Sequence, residues 1–263
     1  MSMIIEKSKK YIQSKIKELP VLGIILLGVK LDKLIQEMEN TICIYYEEIP
    51  LFPNLYGKFL FGKIEGKNIV FLIENFFEKN AINYFPMILC KNIGLEKFIL
   101  INESIGVNPN YKIGDIMFIK DHINFFPEEK NIKNFLGNRL IDITDPYDKN
   151  MLDLAEEIAM NQNIIIQKGI YVAFPYSNYK TYSECAMIRS VGGDCVGMED
   201  IITYVMIANR YMNIRVFSVS IINMMGIYDD HIEKENTKVY LFKEFENSIS
   251  LLTIIIKEFI KCG

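Results

Sequence analysis

A chain of 263 residues, half of them hydrophobic and 24% charged, is long enough to bury an ample core as one large α/β domain or two small ones. Its formal net charge of −4 gives no electrostatic case for nucleic acid or anionic membrane as a partner. Two histidines and five scattered cysteines (Cys43, Cys90, Cys185, Cys195, Cys262), with no CxxC pair, argue against a metal site and read as free thiols.

Residues 3–18 set Ile4, Ile5, Ile12 and Ile16 among charges at helical spacing, and Pro20 closes the pattern. This start lacks the apolar core of a secretory signal, and the longest apolar run, 21–29, is too short to span a bilayer. A cytoplasmic location is therefore expected. Residues 21–27 read as a strand, Gly28-Val29-Lys30-Leu31 as a turn, and the segment through Met38 as a helix. Strands are expected at 57–62 and 68–74, and a helix over about 81–92 with Gly94 suited to its end.

The run Phe98-Ile99-Leu100-Ile101 reads as a buried strand that turns polar at Asn102-Glu103-Ser104. In α/β sheets the carboxyl ends of strands are where ligands sit. Pro109 pushes Asn108 into extended backbone, Gly114 permits a bend, and a second strand over 116–119 breaks into Asp121-His122-Ile123-Asn124. Beyond it the pattern predicts a helix at 151–161, a strand at 164–174, a helix from Thr181, a strand at 214–222 ending on Asn223, and a helix at 237–262. With no linker, repeat or low-complexity stretch, residues 1–263 read as one domain.

The order Asn102-x-x-x-Gly106, then Asn108-Pro109-Asn110-Tyr111-Lys112-Ile113-Gly114-Asp115-Ile116-Met117, then Asp121-His122-Ile123-Asn124 resembles the trimeric purine nucleoside phosphorylase family. That family has an Asn-Ala-Ala-Gly-Gly segment, Asn-Pro, Gly-Asp-hydrophobic-Met and Asp-His-Ile-Asn at this spacing. The resemblance extends to Ile49-Pro50-Leu51-Phe52-Pro53, to Asp142-Ile143-Thr144-Asp145-Pro146-Tyr147-Asp148, to Gly169-Ile170-Tyr171-Val172 and to Val191-Gly192-Gly193-Asp194-Cys195-Val196-Gly197-Met198.

The fold it implies is α/β, with a mixed central sheet partly closed into a barrel and flanked by helices. The reaction it implies is nucleoside plus phosphate to purine base and ribose 1-phosphate, in a homotrimer, with phosphate as co-substrate and no cofactor. By the resemblance Asn223 bonds the purine nitrogen that gains charge, and His231 holds the ribose 5′-hydroxyl. Met198 lies under the sugar, Gly197 belongs to the substrate site, Tyr179 sits over the base, and Asn102 faces the ligand. Lys180 stands where the family has the glutamate that grips the purine.

The phosphate positions differ. Val29 stands for a serine, Asn75 for an arginine, Phe77 for a histidine and Glu199 for a serine, while Glu103 replaces a small alanine. A histidine-bearing loop after Pro53 has no counterpart. Losing a bidentate arginine and adding carboxylates opposes an anion, so phosphorolysis is expected to be weak or lost. One alternative keeps phosphorolysis by bringing Lys30, Lys58 or Lys180 to the phosphate. Another is a nucleoside hydrolase in which Glu103 or Glu199 activates water. The last is a non-catalytic purine-binding or structural homologue whose pocket is plugged by Phe77, Ile105 and Val29.

Overall fold

A computed structural model describes residues 2–50, 57–74, 85–125, 145–174, 181–197, 201–227 and 236–263. Its first strand, β1 (Leu22–Leu27), is buried at every position. Such a continuous apolar run suits a strand covered on both faces. β1 pairs in parallel with β4 (Lys67–Glu74) on one side and β5 (Lys97–Gly106) on the other. Outside β4 lie β3 (Gly57–Ile64) and β2 (Glu39–Tyr45), both antiparallel to their neighbours. The β3–β4 turn is Glu65-Gly66 with φ of 49° and 74°, the two positive values that a tight hairpin needs.

The remaining strands are β6 (Ile116–Asn124), β7 (Gln167–Ala173), β8 (Cys195–Gly197) and β9 (Arg215–Met225). The sheet order is β2-β3-β4-β1-β5-β8-β7-β6-β9, and β9 returns to pair with β5. Strands β5, β8, β7, β6 and β9 therefore close into a barrel, and β2, β3, β4 and β1 continue from it as an open sheet.

Helices cover both sides. α1 (Ser2–Lys15), α3 (Phe85–Asn92) and α6 (Ile201–Ile207) set Ile12, Met87, Leu89, Ile201 and Val205 into one core. α2 (Asp32–Gln36), α4 (Lys149–Asn161) and α7 (Asn236–Cys262) set Leu34, Ala155, Ile158, Ile255 and Phe259 into a second. α5 (Tyr182–Ser190) closes a smaller cluster with Cys185 and Ile188 against Val172 and Val196. Asp148 caps α4 by accepting from the Met151 amide at 2.9 Å. Thr181 and Glu184 form a capping box at the start of α5. Among the described residues, the cysteines are free, no His/Cys/Asp/Glu group could hold a metal, and no helix is long and apolar enough to cross a membrane.

The architecture is the one expected, and four local expectations change. The helix after Gly28 is shorter, and Glu39–Tyr45 forms an edge strand that its polar composition hid. Strand β7 starts only at Gln167. Most telling, β5 does not end at Ile101 and β6 does not end at Ile119. Both run on through polar residues, to Gly106 and Asn124. On β5, Asn102 and Ser104 find polar partners inside the barrel, and on β6 residues 120–124 are exposed or half-buried while their backbone goes on pairing with β7, so polarity there marks no loop.

The contact between the barrel and α7 passes through aromatic rings. Phe217 meets Phe118 edge-on at 5.0 Å and stacks on Phe259 at 5.9 Å. Phe217 is fully buried. Phe217→Ala is expected to lower the unfolding free energy by about 3–5 kcal/mol, measured by urea denaturation.

Candidate active site

Strands β4, β1, β5 and β9 run parallel, so their carboxyl ends share one edge of the sheet. Gly28, in the left-handed region at φ 81°, bends the chain off β1 and bridges to Asn102 on β5. The next residue, Val29, packs into the core beside Leu31 and Leu34, and its side chain offers no donor to an anion. Lys30 is exposed beyond it. Lys58 lies on β3, three strand spacings from β5, about 14 Å at ordinary sheet geometry.

Asn102 is fully buried, and its Nδ2 donates to the Tyr171 hydroxyl at 3.0 Å. The two residues sit on β5 and β7, which are not neighbours, so this bond crosses the barrel interior. Asn102 Oδ1 is buried and has no hydrogen-bond partner among the described residues. One residue pair along, the Ser220 hydroxyl donates to Ser104 at 2.7 Å. The Cys195 thiol shares that space, and burial pushes it up to about 12 against the opposing hydrogen bonds from Ser104 and Ser220. Such a thiol stays neutral and inert. Gly197 ends β8, where any side chain would strike the Tyr171 hydroxyl, so only glycine fits.

Glu103 alternates to the other face of β5. The Asn223 Nδ2 donates to its Oε2 at 2.6 Å. Burial raises the Glu103 carboxyl above the usual glutamate value, and the Asn223 hydrogen bond opposes that. Glu103 and Asn223 are thus brought together, while Asn102 joins a separate network inside the barrel.

The motif residues around this edge are largely braces. Asp194 accepts from Asn108 Nδ2 at 2.7 Å and from the Ile170 amide at 2.8 Å, tying the β5–β6 turn to β7 and β8. His122 lies within β6, its Nδ1 3.0 Å from the Tyr147 hydroxyl. Burial lowers the His122 pKa, with Asp121 acting against it, so the ring is neutral near pH 7. Val29 and Ile105 belong to different core clusters and do not form a common plug. Asn75, Phe77, Tyr179, Lys180, Met198, Glu199 and His231 lie outside the described residues. A cavity of about 480 Å³, lined by Lys17, Glu18, Asn40, Lys63 and Asn68 among others, opens at the amino end of β4, away from these strand ends.

The sequence pattern of the phosphorylase superfamily matches residues 24–261. The chain is 32% identical to purine nucleoside phosphorylase 1 of Bacillus subtilis over 97% of its own length and 98% of that protein's. The chain belongs to the purine nucleoside phosphorylase family. Its fold is also that of Schistosoma mansoni purine nucleoside phosphorylase in complex with adenosine, at TM-score 0.80 and 26% identity over 98% of this chain and 96% of that one. A Schistosoma enzyme with hypoxanthine aligns at TM-score 0.78 and 27% identity, over 96% of each chain.

For a member of this family the surprise is internal. In the sequence Tyr171 stands out only as part of a strand motif and Ser104 only as part of a polar strand end, and Ser220 carries no mark of its own. Their alternate placement on apolar strands was the available signal. Tyr171→Phe leaves the Asn102 Nδ2 donor without its acceptor in a buried site. The variant is expected to lose about 1–3 kcal/mol of stability in chemical denaturation.

The raised Glu103 carboxyl also gives a sign. A group whose pKa is raised on folding adds stability below its ordinary value of 4.5 and loses it as pH climbs through the folded value. Gln in its place still accepts from Asn223 but carries no charge. The stability of Glu103→Gln relative to wild type, read from urea midpoints, is expected to grow as pH rises from 4.5 towards neutrality.

Proposed function

We propose that this chain binds a purine nucleoside or purine base at the carboxyl ends of β1, β5 and β9, and that its phosphorolysis is weak or lost. The observation that carries this reading is the Glu103–Asn223 hydrogen bond of 2.6 Å. It keeps a carboxylate beside the asparagine that the family resemblance assigns to the base.

Phosphorolysis passes through a ribosyl cation with a purine anion leaving. The protein must hold phosphate beneath the sugar and receive the base's developing charge with preorganised donors. Base-side and sugar-side candidates are retained in sequence: Asn223, Gly197, Met198, Tyr179 and His231. Phosphate-side candidates are not. Val29 is a core residue, Asn75 and Phe77 replace cations, and Glu199 adds a second carboxylate. One unit charge about 4 Å from another of the same sign costs about 4 kcal/mol at an effective dielectric of 20. That alone corresponds to roughly a thousandfold loss of phosphate affinity. Lys180 in place of the purine-gripping glutamate cannot accept a hydrogen bond from the base. The names of the relatives, and the adenosine and hypoxanthine in the Schistosoma complexes, support the purine part of this reading. We further read residues 1–263 as one domain acting in the cytoplasm, assembled as a homotrimer, with phosphate the only co-substrate.

A second reading, a nucleoside hydrolase, draws on Glu103 itself. A carboxylate raised by burial is a stronger base for activating water. Incubation with inosine, guanosine and adenosine, with and without phosphate, separates the readings when free base is followed by chromatography. The expected result is no phosphate-dependent release at protein concentrations near that of substrate. Glu103→Ala is expected to raise any phosphate-dependent rate about tenfold or more, since it removes a repelling charge. Rapid release only with phosphate would overturn the proposed loss. Release without phosphate that vanishes in Glu103→Ala would establish the hydrolase.

A further inference from the structure

The pairing of β9 with β5 slips where Asn223 lies. Ser104 pairs with Ile222, and Ile105 pairs with Met224, so Asn223 is the extra residue of a bulge. Bulges re-aim a side chain at the end of a strand. This one turns the Asn223 amide onto Glu103, with the nitrogen 2.6 Å from Oε2. The distance is short for an amide donor and fits a charge-assisted bond.

An ionised carboxylate accepts hydrogen bonds and donates none. It therefore fixes which way the asparagine amide faces. The nitrogen lies against Glu103, and the oxygen is held on the other side. Turning the amide over would place its oxygen against the carboxylate, two acceptors with no hydrogen between them. Asn223 is exposed, so the rest of the amide is open to a ligand.

We propose that Glu103 is a positioning residue that locks the Asn223 amide with its oxygen towards the bound base, so that the site selects 6-aminopurines over 6-oxopurines. This rests on the purine-binding reading above. On its N7 edge a 6-aminopurine presents an acceptor beside an amino donor, whereas a 6-oxopurine base presents a carbonyl acceptor beside an N7 that is an acceptor in one tautomer and a donor in the other. The locked amide matches the first pattern: Oδ1 accepts from the amino group, and the second amide hydrogen remains for N7. Against the second pattern, Oδ1 faces a carbonyl oxygen, and both are left unpaired. A free asparagine would turn over for the oxopurine base, with Nδ2 donating to O6 and Oδ1 accepting from N7–H of its N7-protonated tautomer. Glu103 removes that freedom, and alanine at this position would restore it.

Calorimetric titration of the full chain with adenine and with hypoxanthine tests this, using wild type and Glu103→Ala. Wild type is expected to bind adenine about tenfold or more tightly than hypoxanthine, the discrimination of one well-formed bidentate pair. In Glu103→Ala the ratio is expected to fall to within about threefold of unity, with the thermal midpoint as a check that the variant is folded. A purely structural Glu103 would change both affinities together and leave the ratio alone. Equal or tighter binding of hypoxanthine by wild type overturns the inference while leaving the purine-binding reading intact. So does an unchanged ratio in a folded Glu103→Ala. Binding by wild type of neither base, nor of adenosine or inosine in the same titration, overturns the purine-binding reading and the inference with it.

Discussion

Strand β5 is the member on which both halves of the molecule hang. Its amino half pairs with β1 to carry the open sheet, its whole length pairs with β9, and its last residues pair with β8. A ten-residue strand with three partners must satisfy very different surroundings along its length. Phe98 to Ile101 are fully buried and could be any well-packed apolar residues. From Asn102 onward the strand is one wall of a closed barrel, and its side chains alternate between the barrel interior and the open edge. Asn102 and Ser104 find polar partners inside, while Glu103 turns to the edge and meets Asn223. The candidate site is a by-product of that alternation.

The polar barrel interior is paired in part, with Asn102 Oδ1 and Ser218 Oγ left without a partner among the described residues. Ser104 bonds Ser220, and Asn102 bonds Tyr171, so four polar groups from three strands pin the barrel's register. A slip of one residue on β5 would bring Glu103 inside and expel Asn102 and Ser104, leaving a carboxylate buried without a partner. Polarity here acts as a register lock, in keeping with the high cost of unsatisfied groups in a low-dielectric interior. Gly197 belongs to the same lock, since its missing side chain is what gives the Tyr171 hydroxyl room.

At the open edge, electrostatics and the bulge act together. The bulge on β9 brings Asn223 within reach of Glu103, and partial burial makes that carboxylate costly to ionise. A carboxylate in such a place works against an anionic co-substrate and for a ligand that offers hydrogen-bond donors. Family membership and retained activity are therefore separate matters in this chain. The motif residues Asn108 and Asp194 persist because they tie the β5–β6 turn to β7 and β8, a task that does not depend on turnover.

By itself the sequence determined the fold class, the family and most elements, because long apolar runs and capping residues act locally. β1, α4, α7 and the Thr181 cap are legible from their own residues alone. The resemblance also raised the expectation that phosphate-side positions differ, since a valine or phenylalanine side chain cannot replace a serine or histidine donor wherever it points. Only the tertiary structure decided that β5 and β6 continue through their polar stretches, because their partners come from strands about fifty to more than a hundred residues away. It alone decided that Asn102 faces Tyr171 in the barrel interior and that Glu103 bonds Asn223. Neighbours in sequence on a strand face opposite ways, and which way becomes a cavity depends on how the sheet closes.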